Sequence, residues 1–185
     1  MECGYGYREQ GPEDLKPVGE TEFLESVAAR AAADPARTTR TAAAIVGFAD
    51  LSLGDGVAAV LEAHAAASMR FRGIRHSATW DASGPLRNEA PSKLLADGKF
   101  RKGFARLGKM GLSFDAWVYH PQLQEVVELA RAFPDVTIVL NHIGAPLGIG
   151  PYAGKRDEVF QAWSKGIAEI ATCANIAVKL GGVGS

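Results

Sequence analysis

His142 is the residue in this sequence best placed to do chemistry. It follows the apolar run Thr137-Ile138-Val139-Leu140-Asn141 and precedes Ile143-Gly144-Ala145-Pro146, where a strand would open into a loop that lets backbone approach a ligand. An imidazole there can move a proton or hold a metal ion near neutral pH, or it can be a strand-end histidine bonded to a neighbour. Asp115 and Lys179 each put a charge inside an otherwise apolar run. Such a charge must be paired or used, so Lys179 should meet a carboxylate, a substrate anion or a carbonyl. An ion pair with Asp115 or Glu2 is its simplest structural account. Arg75, His76 and Ser77 end another run, and alternation along a strand sends Arg75 and Ser77 one way and Arg72, Ile74 and His76 the other. We expect Arg75 and Ser77 to face the functional side. His120, ahead of Pro121 at a helix start, suits a cap or rim contact as well as substrate binding, whereas His64 lies on an apolar helix stripe and should pack. A carboxylate, imidazoles, a guanidinium and an amine together would serve hydrolysis, which needs activated water, a polarised carbonyl and a cation for an anionic substrate.

These residues come together only if the elements carrying them share a rim. Six apolar runs, at 2–5, 43–48, 71–75, 112–118, 136–140 and 176–180, alternate with segments of helical period. The stripes are Phe23, Val27 and Ala31; Val57, Val60, Leu61 and His64; Leu123, Val126, Val127 and Ala130; and Val159, Trp163, Ile167 and Ile170. Pro121 fits a first helical turn, and Pro134 stops that helix before the next strand. The pattern predicts an α/β chain with a parallel sheet, whose carboxyl edge collects Glu2, Asp50, Arg75, His76, His120, His142 and Lys179. Either an open doubly wound sheet or part of a (β/α)8 barrel fits, the latter typically needing about 250 residues. Segments 82–92 and 143–154 are loops. The Gly148–Gly154 stretch is one residue too long for a dinucleotide fingerprint and is followed by Lys179 where an acidic ribose ligand belongs, so it reads as a flexible lid.

Composition narrows the partners. The chain has 185 residues and a formal charge of −1, with 47% hydrophobic and 22% charged side chains, which suits one domain over 1–185. It offers no basic field for nucleic acid and no apolar stretch long enough for a bilayer. Met1 is followed at once by Glu2 and Cys3, without a signal-peptide core, so a cytoplasmic setting is expected. Cys3 and Cys173 make neither a disulfide framework nor a metal-type spacing.

Five segments, in this order, resemble the amidohydrolase-related TIM-barrel hydrolases that include pyrone-dicarboxylate lactonase and fuconolactonase. They are Phe71-Arg72-Gly73-Ile74-Arg75-His76, Gly111-Leu112-Ser113-Phe114-Asp115, Phe133-Pro134-Asp135, Val139-Leu140-Asn141-His142-Ile143-Gly144-Ala145-Pro146 and Asn175-Ile176-Ala177-Val178-Lys179-Leu180. The resemblance implies a partial (β/α)8 barrel comprising about strands two to seven. It implies a hydrolase of a C–O or C–N bond, with a lactone or other small carboxylated compound as substrate. His142 would be the catalytic residue and, with Glu2, a ligand to a divalent zinc or manganese ion, although metal dependence stays open. Asp115 would join His142 in catalysis, while Arg75, His76, Ser77, His120 and Lys179 would contact the substrate. No His-x-His pair occurs, and neither does the acidic eighth strand of that family. A barrel lacking both would expose two edges, favouring self-assembly and little activity as it stands. Two other readings remain: an aldolase-type barrel using Lys179 as a Schiff-base amine, and a non-catalytic α/β ligand-binding module or an inactive fragment.

Overall fold

Five of the six apolar runs form strands. The computed structural model describes residues 3–36, 38–84 and 86–182. Its strands are β1 (Ile45–Gly47), β2 (Phe71–Ser77), β3 (Ser113–Trp117), β4 (Ile138–Leu140) and β5 (Ile176–Val178), all parallel, in the order β1-β2-β3-β4-β5. Helix α1 (Val18–Ala32) precedes β1, and α2 (Val57–Ala67), α3 (Gly98–Met110), α4 (Leu123–Ala132) and α5 (Arg156–Ile170) each carry the chain to the next strand. The run at 2–5 behaves differently: Glu2 lies outside the described residues, and 3–5 form no strand.

One face of the sheet is a packed core. Ile74, Phe114, Ala116, Ile138 and Leu140 point towards Phe100, Phe104 and Leu107 of α3 and Val126, Val127 and Ala130 of α4, all nearly or fully buried. Phe114 meets Phe104 and Phe100 edge to face, with centroids 5.1 and 6.0 Å apart. The opposite face has no such layer among the described residues. There Arg75 pairs in register with Asp115, Asp115 with Val139 and Val139 with Ala177, and of these only Asp115 is buried.

Two helices depart from the sequence expectation. Of the Phe23–Val27–Ala31 stripe only Ala31 is buried, and Val27 is half-buried. Phe23 is exposed and meets Tyr5 edge to face, while Val18, Ala28 and Ala31 are buried beside the polar Glu20 and Thr21. Those two residues turn inward because they have partners: Glu20 Oε1 accepts from the Cys3 N–H at 3.1 Å, and Thr21 Oγ1 bonds His64 Nδ1 at 2.8 Å. His64 is fully buried, as its stripe implies, with Nε2 2.9 Å from the Phe48 carbonyl and its ring stacked on Phe71. Helix α3 carries no stripe singled out from sequence. It starts where Asp97 accepts from the Lys99 and Phe100 N–H groups and ends at Gly111, which holds a φ of 64°. Gly103 lets it lie against the 51–56 turn, since a Cβ there would stand 2.2 Å from the Leu51 carbonyl oxygen.

Candidate functional site

The uncovered face of β3 presents Asp115, whose side chain is 5% exposed. Lys179, one residue past β5, reaches across β4 and places Nζ 3.1 Å from Asp115 Oδ2 and 3.0 Å from Asn141 Oδ1. Asn141 follows β4 and is fully buried, and its Nδ2 has no hydrogen-bond partner among the described residues. A polar chain thus runs from β3 over β4 to β5, with Arg75 of β2 half-buried in register beside Asp115. Lys179 was legible as a residue needing a carboxylate, and the carboxylate is Asp115.

The pairing sets a measurable stability. Lys179→Met strands a buried carboxylate, which costs roughly 3–5 kcal/mol in a fully buried pair. Lys179 is itself 38% exposed and Asp115 can be partly rehydrated, so we expect about 2–3 kcal/mol by urea unfolding. Asp115→Leu combined with Lys179→Met should recover most of that loss. A single-variant loss below about 0.5 kcal/mol, the ordinary surface range, would contradict the account.

His142 sits in a turn of unusual backbone. φ is 50° at His142, 51° at Ile143, 75° at Gly144 and 39° at Ala145, four successive residues in the left-handed region. Three of them carry a Cβ, for which that region costs roughly 1–2 kcal/mol each. The turn swings the imidazole edge-on to Trp117, with centroids 4.7 Å apart, and leaves Nδ1 buried with no hydrogen-bond partner among the described residues. Gly182 passes directly over the ring, since a Cβ on it would lie 2.5 Å from Nδ1. Beside the ring is a recess of about 390 Å³ whose lining includes Trp117, Tyr119, Ile143, Pro146 and Ile149.

The other candidates lie elsewhere. His76 shares the side of Ile74, with its ring against Phe48 and Phe100 and Nδ1 3.4 Å from the Leu51 N–H, so it faces the helix layer rather than the recess. Burial lowers its pKa, against the pull of Asp50. The substrate contact expected of His76 therefore has no place on the open face, because strand alternation separates it from Arg75. Ser77 lies in register beside Trp117, and its Oγ is 3.3 Å from Thr79 Oγ1. His120 is buried behind the His142 recess and does not line it. Its Nδ1 accepts from the Leu147 N–H at 3.3 Å, and its ring meets Tyr152 edge to face across a second recess of about 500 Å³ that also holds Asp81 and Lys155. Burial depresses its pKa, with Asp81 acting the other way.

The Gly148–Gly154 stretch, expected as a flexible lid, is bonded to the 82–92 side of the fold through Tyr152. The Tyr152 hydroxyl donates to Asp81 Oδ2 at 2.7 Å, and burial with that bond pushes the phenol up to about 12. Trp163 donates to the Ile143 carbonyl at 2.6 Å. Sequence reasoning missed Trp117, Tyr152 and Asp81. Only Trp117 carried a signal, two residues beyond Asp115 and hence on its face.

The expected metal ligands do not complete a centre. Among the described residues no three His, Cys, Asp or Glu side chains converge, and Glu2 lies outside them. His142 and Glu2 would supply two donors where a zinc site takes three or four from protein, so no chemical step is assigned to a metal.

The sequence pattern of the family described as Amidohydrolase matches residues 2–185. An L-fucono-1,5-lactonase of Burkholderia ambifaria is 30% identical over 187 residues, an alignment covering 96% of this chain and 59% of that protein. An uncharacterized protein of Sinorhizobium fredii is 34% identical over 174 residues, covering 94% and 53% respectively. The chain therefore spans little more than half the length of either. A crystal structure of an amidohydrolase from Burkholderia multivorans with bound zinc superposes with a TM-score of 0.66 at 25% identity, over 89% of this chain and 50% of that one. No described helix is long and apolar enough to cross a membrane.

Proposed function

The chain belongs to the amidohydrolase family, and from that premise we propose that it carries most of the strand-end machinery of a hydrolase that opens a lactone on a small carboxylated or sugar-type substrate. Its five parallel strands with alternating helices form part of the (β/α)8 barrel of that family. The observation that carries the reading is the His142 imidazole, held at a recess walled by Trp117 and Tyr119 and next in sequence to Asn141, which bonds Lys179 and through it Asp115. In ring opening, water adds to the ester carbonyl, the ring C–O bond breaks with the ring oxygen taking up a proton, and a hydroxy carboxylate and one proton leave. His142 is suited to take the proton from the attacking water or to polarise the carbonyl. Arg75 and Lys179 are suited to hold a substrate carboxylate, with Asp115 fixing the amine, and Trp117 offers an aromatic wall for the ring. The relative named as a fuconolactonase supports a lactone over an amide. The Schiff-base alternative has less support, because Lys179 Nζ is committed as a donor to both Asp115 and Asn141.

The test is a panel of sugar and carboxylated lactones offered to a polypeptide that also carries the flanking barrel strands, with acid release as the readout. Arg75→Ala should raise KM about 10–100-fold with kcat little changed, as expected when a charge-assisted hydrogen bond of about 1.5–3 kcal/mol is lost from ground and transition state alike. Ring opening of no lactone, or an unchanged KM for a carboxylated one, would contradict the reading.

A further inference from the structure

The geometry points to Trp163, on α5, as the positioning residue that holds the His142 turn in its left-handed conformation and so aims the imidazole. The inference rests on reading His142 as an active-site group. Four successive residues at positive φ, three of them carrying a Cβ, do not hold that shape unaided, and surrounding structure must over-determine it. Three backbone hydrogen bonds contribute: Ala145 N–H to the His142 carbonyl at 2.8 Å, Ile143 N–H to the Lys179 carbonyl at 3.2 Å, and His120 N–H to the Ala145 carbonyl at 3.3 Å. The fourth is the Trp163 indole N–H to the Ile143 carbonyl, at 2.6 Å shorter than any of them, and it comes from a side chain on a separate, regular element.

The reach of that indole is fixed by close packing. Leu123 at the start of α4 is wedged between the turn and α5, since a Cβ on Gly144 and one on Gly166 would each stand 2.6 Å from a Leu123 methyl. Both glycines let their segments close on the same side chain, so α5 and the turn keep a set separation that the indole spans. Gly144 has a conformational reason as well, at φ 75°. With the Ile143 carbonyl anchored, His142 is left facing Trp117 beneath Gly182. Without the anchor, His142 and Ile143 can relax to negative φ, and the ring leaves Trp117.

A purely space-filling role for Trp163 predicts something different, and two variants separate the two. Trp163→Phe keeps an aromatic ring but removes the N–H. In NMR spectra of the 185-residue chain, the ring-proton signals of His142 should lose the shift imposed by the nearby Trp117 ring, while resonances of the α3–β3 core stay in place. Adding Ile143→Gly, which removes a backbone penalty at that position, should restore the His142 signals. Unmoved His142 signals in Trp163→Phe would overturn the proposal. So would a loss of chemical-shift dispersion throughout the protein that Ile143→Gly does not correct, because Trp163 would then be a packing residue. No substrate enters this experiment, so its outcome stands apart from whether His142 proves catalytic.

Discussion

His142→Ala, in a polypeptide that carries the flanking barrel strands, should lower kcat/KM for lactone opening by about 10²–10⁴-fold, the usual contribution of a positioned acid–base group. The fall should appear in kcat, because substrate binding is assigned to Arg75, Lys179 and the Trp117 wall, which the substitution leaves intact. The fold should survive it. The histidine side chain is only half-buried, and its ring contacts are with Trp117 and the backbone at Gly182 rather than with the core. His142→Gln keeps a polar group of similar reach without acid–base function and should be nearly as impaired, which separates proton transfer from simple cavity formation. Steady-state kinetics across the variants reads the effect. A loss of under tenfold in both would remove His142 from the chemistry.

How much of this was legible in advance differs from residue to residue. The strand–helix alternation and the parallel order follow from short β-branched runs spaced by helical segments, and five of those runs are strands. Asp115 and Lys179 were legible because charge inside an apolar run demands a partner, and here each supplies the other's. Helix α3 was legible but overlooked: Phe100, Phe104 and Leu107, at i, i+4 and i+7, are its buried stripe, and Gly103, a poor helix former, is there for close approach to Leu51. The buried face of α1 was misassigned because Glu20 and Thr21 look exposed by type yet are held inside by Cys3 and His64. The His142 turn was the hardest feature to anticipate. Ile143 is β-branched and strongly disfavours positive φ, so nothing local but Gly144 announces a left-handed run. Trp163 was legible as one member of an apolar stripe, whereas the carbonyl its N–H would meet depends on how α5 docks.

The open face of the sheet carries the second large effect. Parallel sheets are covered on both faces, and barrel active sites form at the rim of a closed ring. Here β1 and β5 are the edges of a five-strand sheet, and Arg75, Val139 and Ala177 lie half-buried or exposed on a face with no second layer among the described residues. The alignments cover only 53% and 59% of the two relatives. We therefore propose that further strands pair at these edges and that the recess beside His142 reaches catalytic geometry only when they do. A misplacement of about 1 Å can cost 10²-fold in rate, so the 185-residue chain should fall short of the completed barrel by at least about that factor. It should also tend to self-associate through its open edges. The most direct measurement is lactone hydrolysis by the 185-residue chain and by the strand-completed polypeptide, side by side at equal concentration. Acid release is expected from the completed form and at least about 100-fold less from the shorter chain; equal turnover by the two would contradict the proposed role of the added strands.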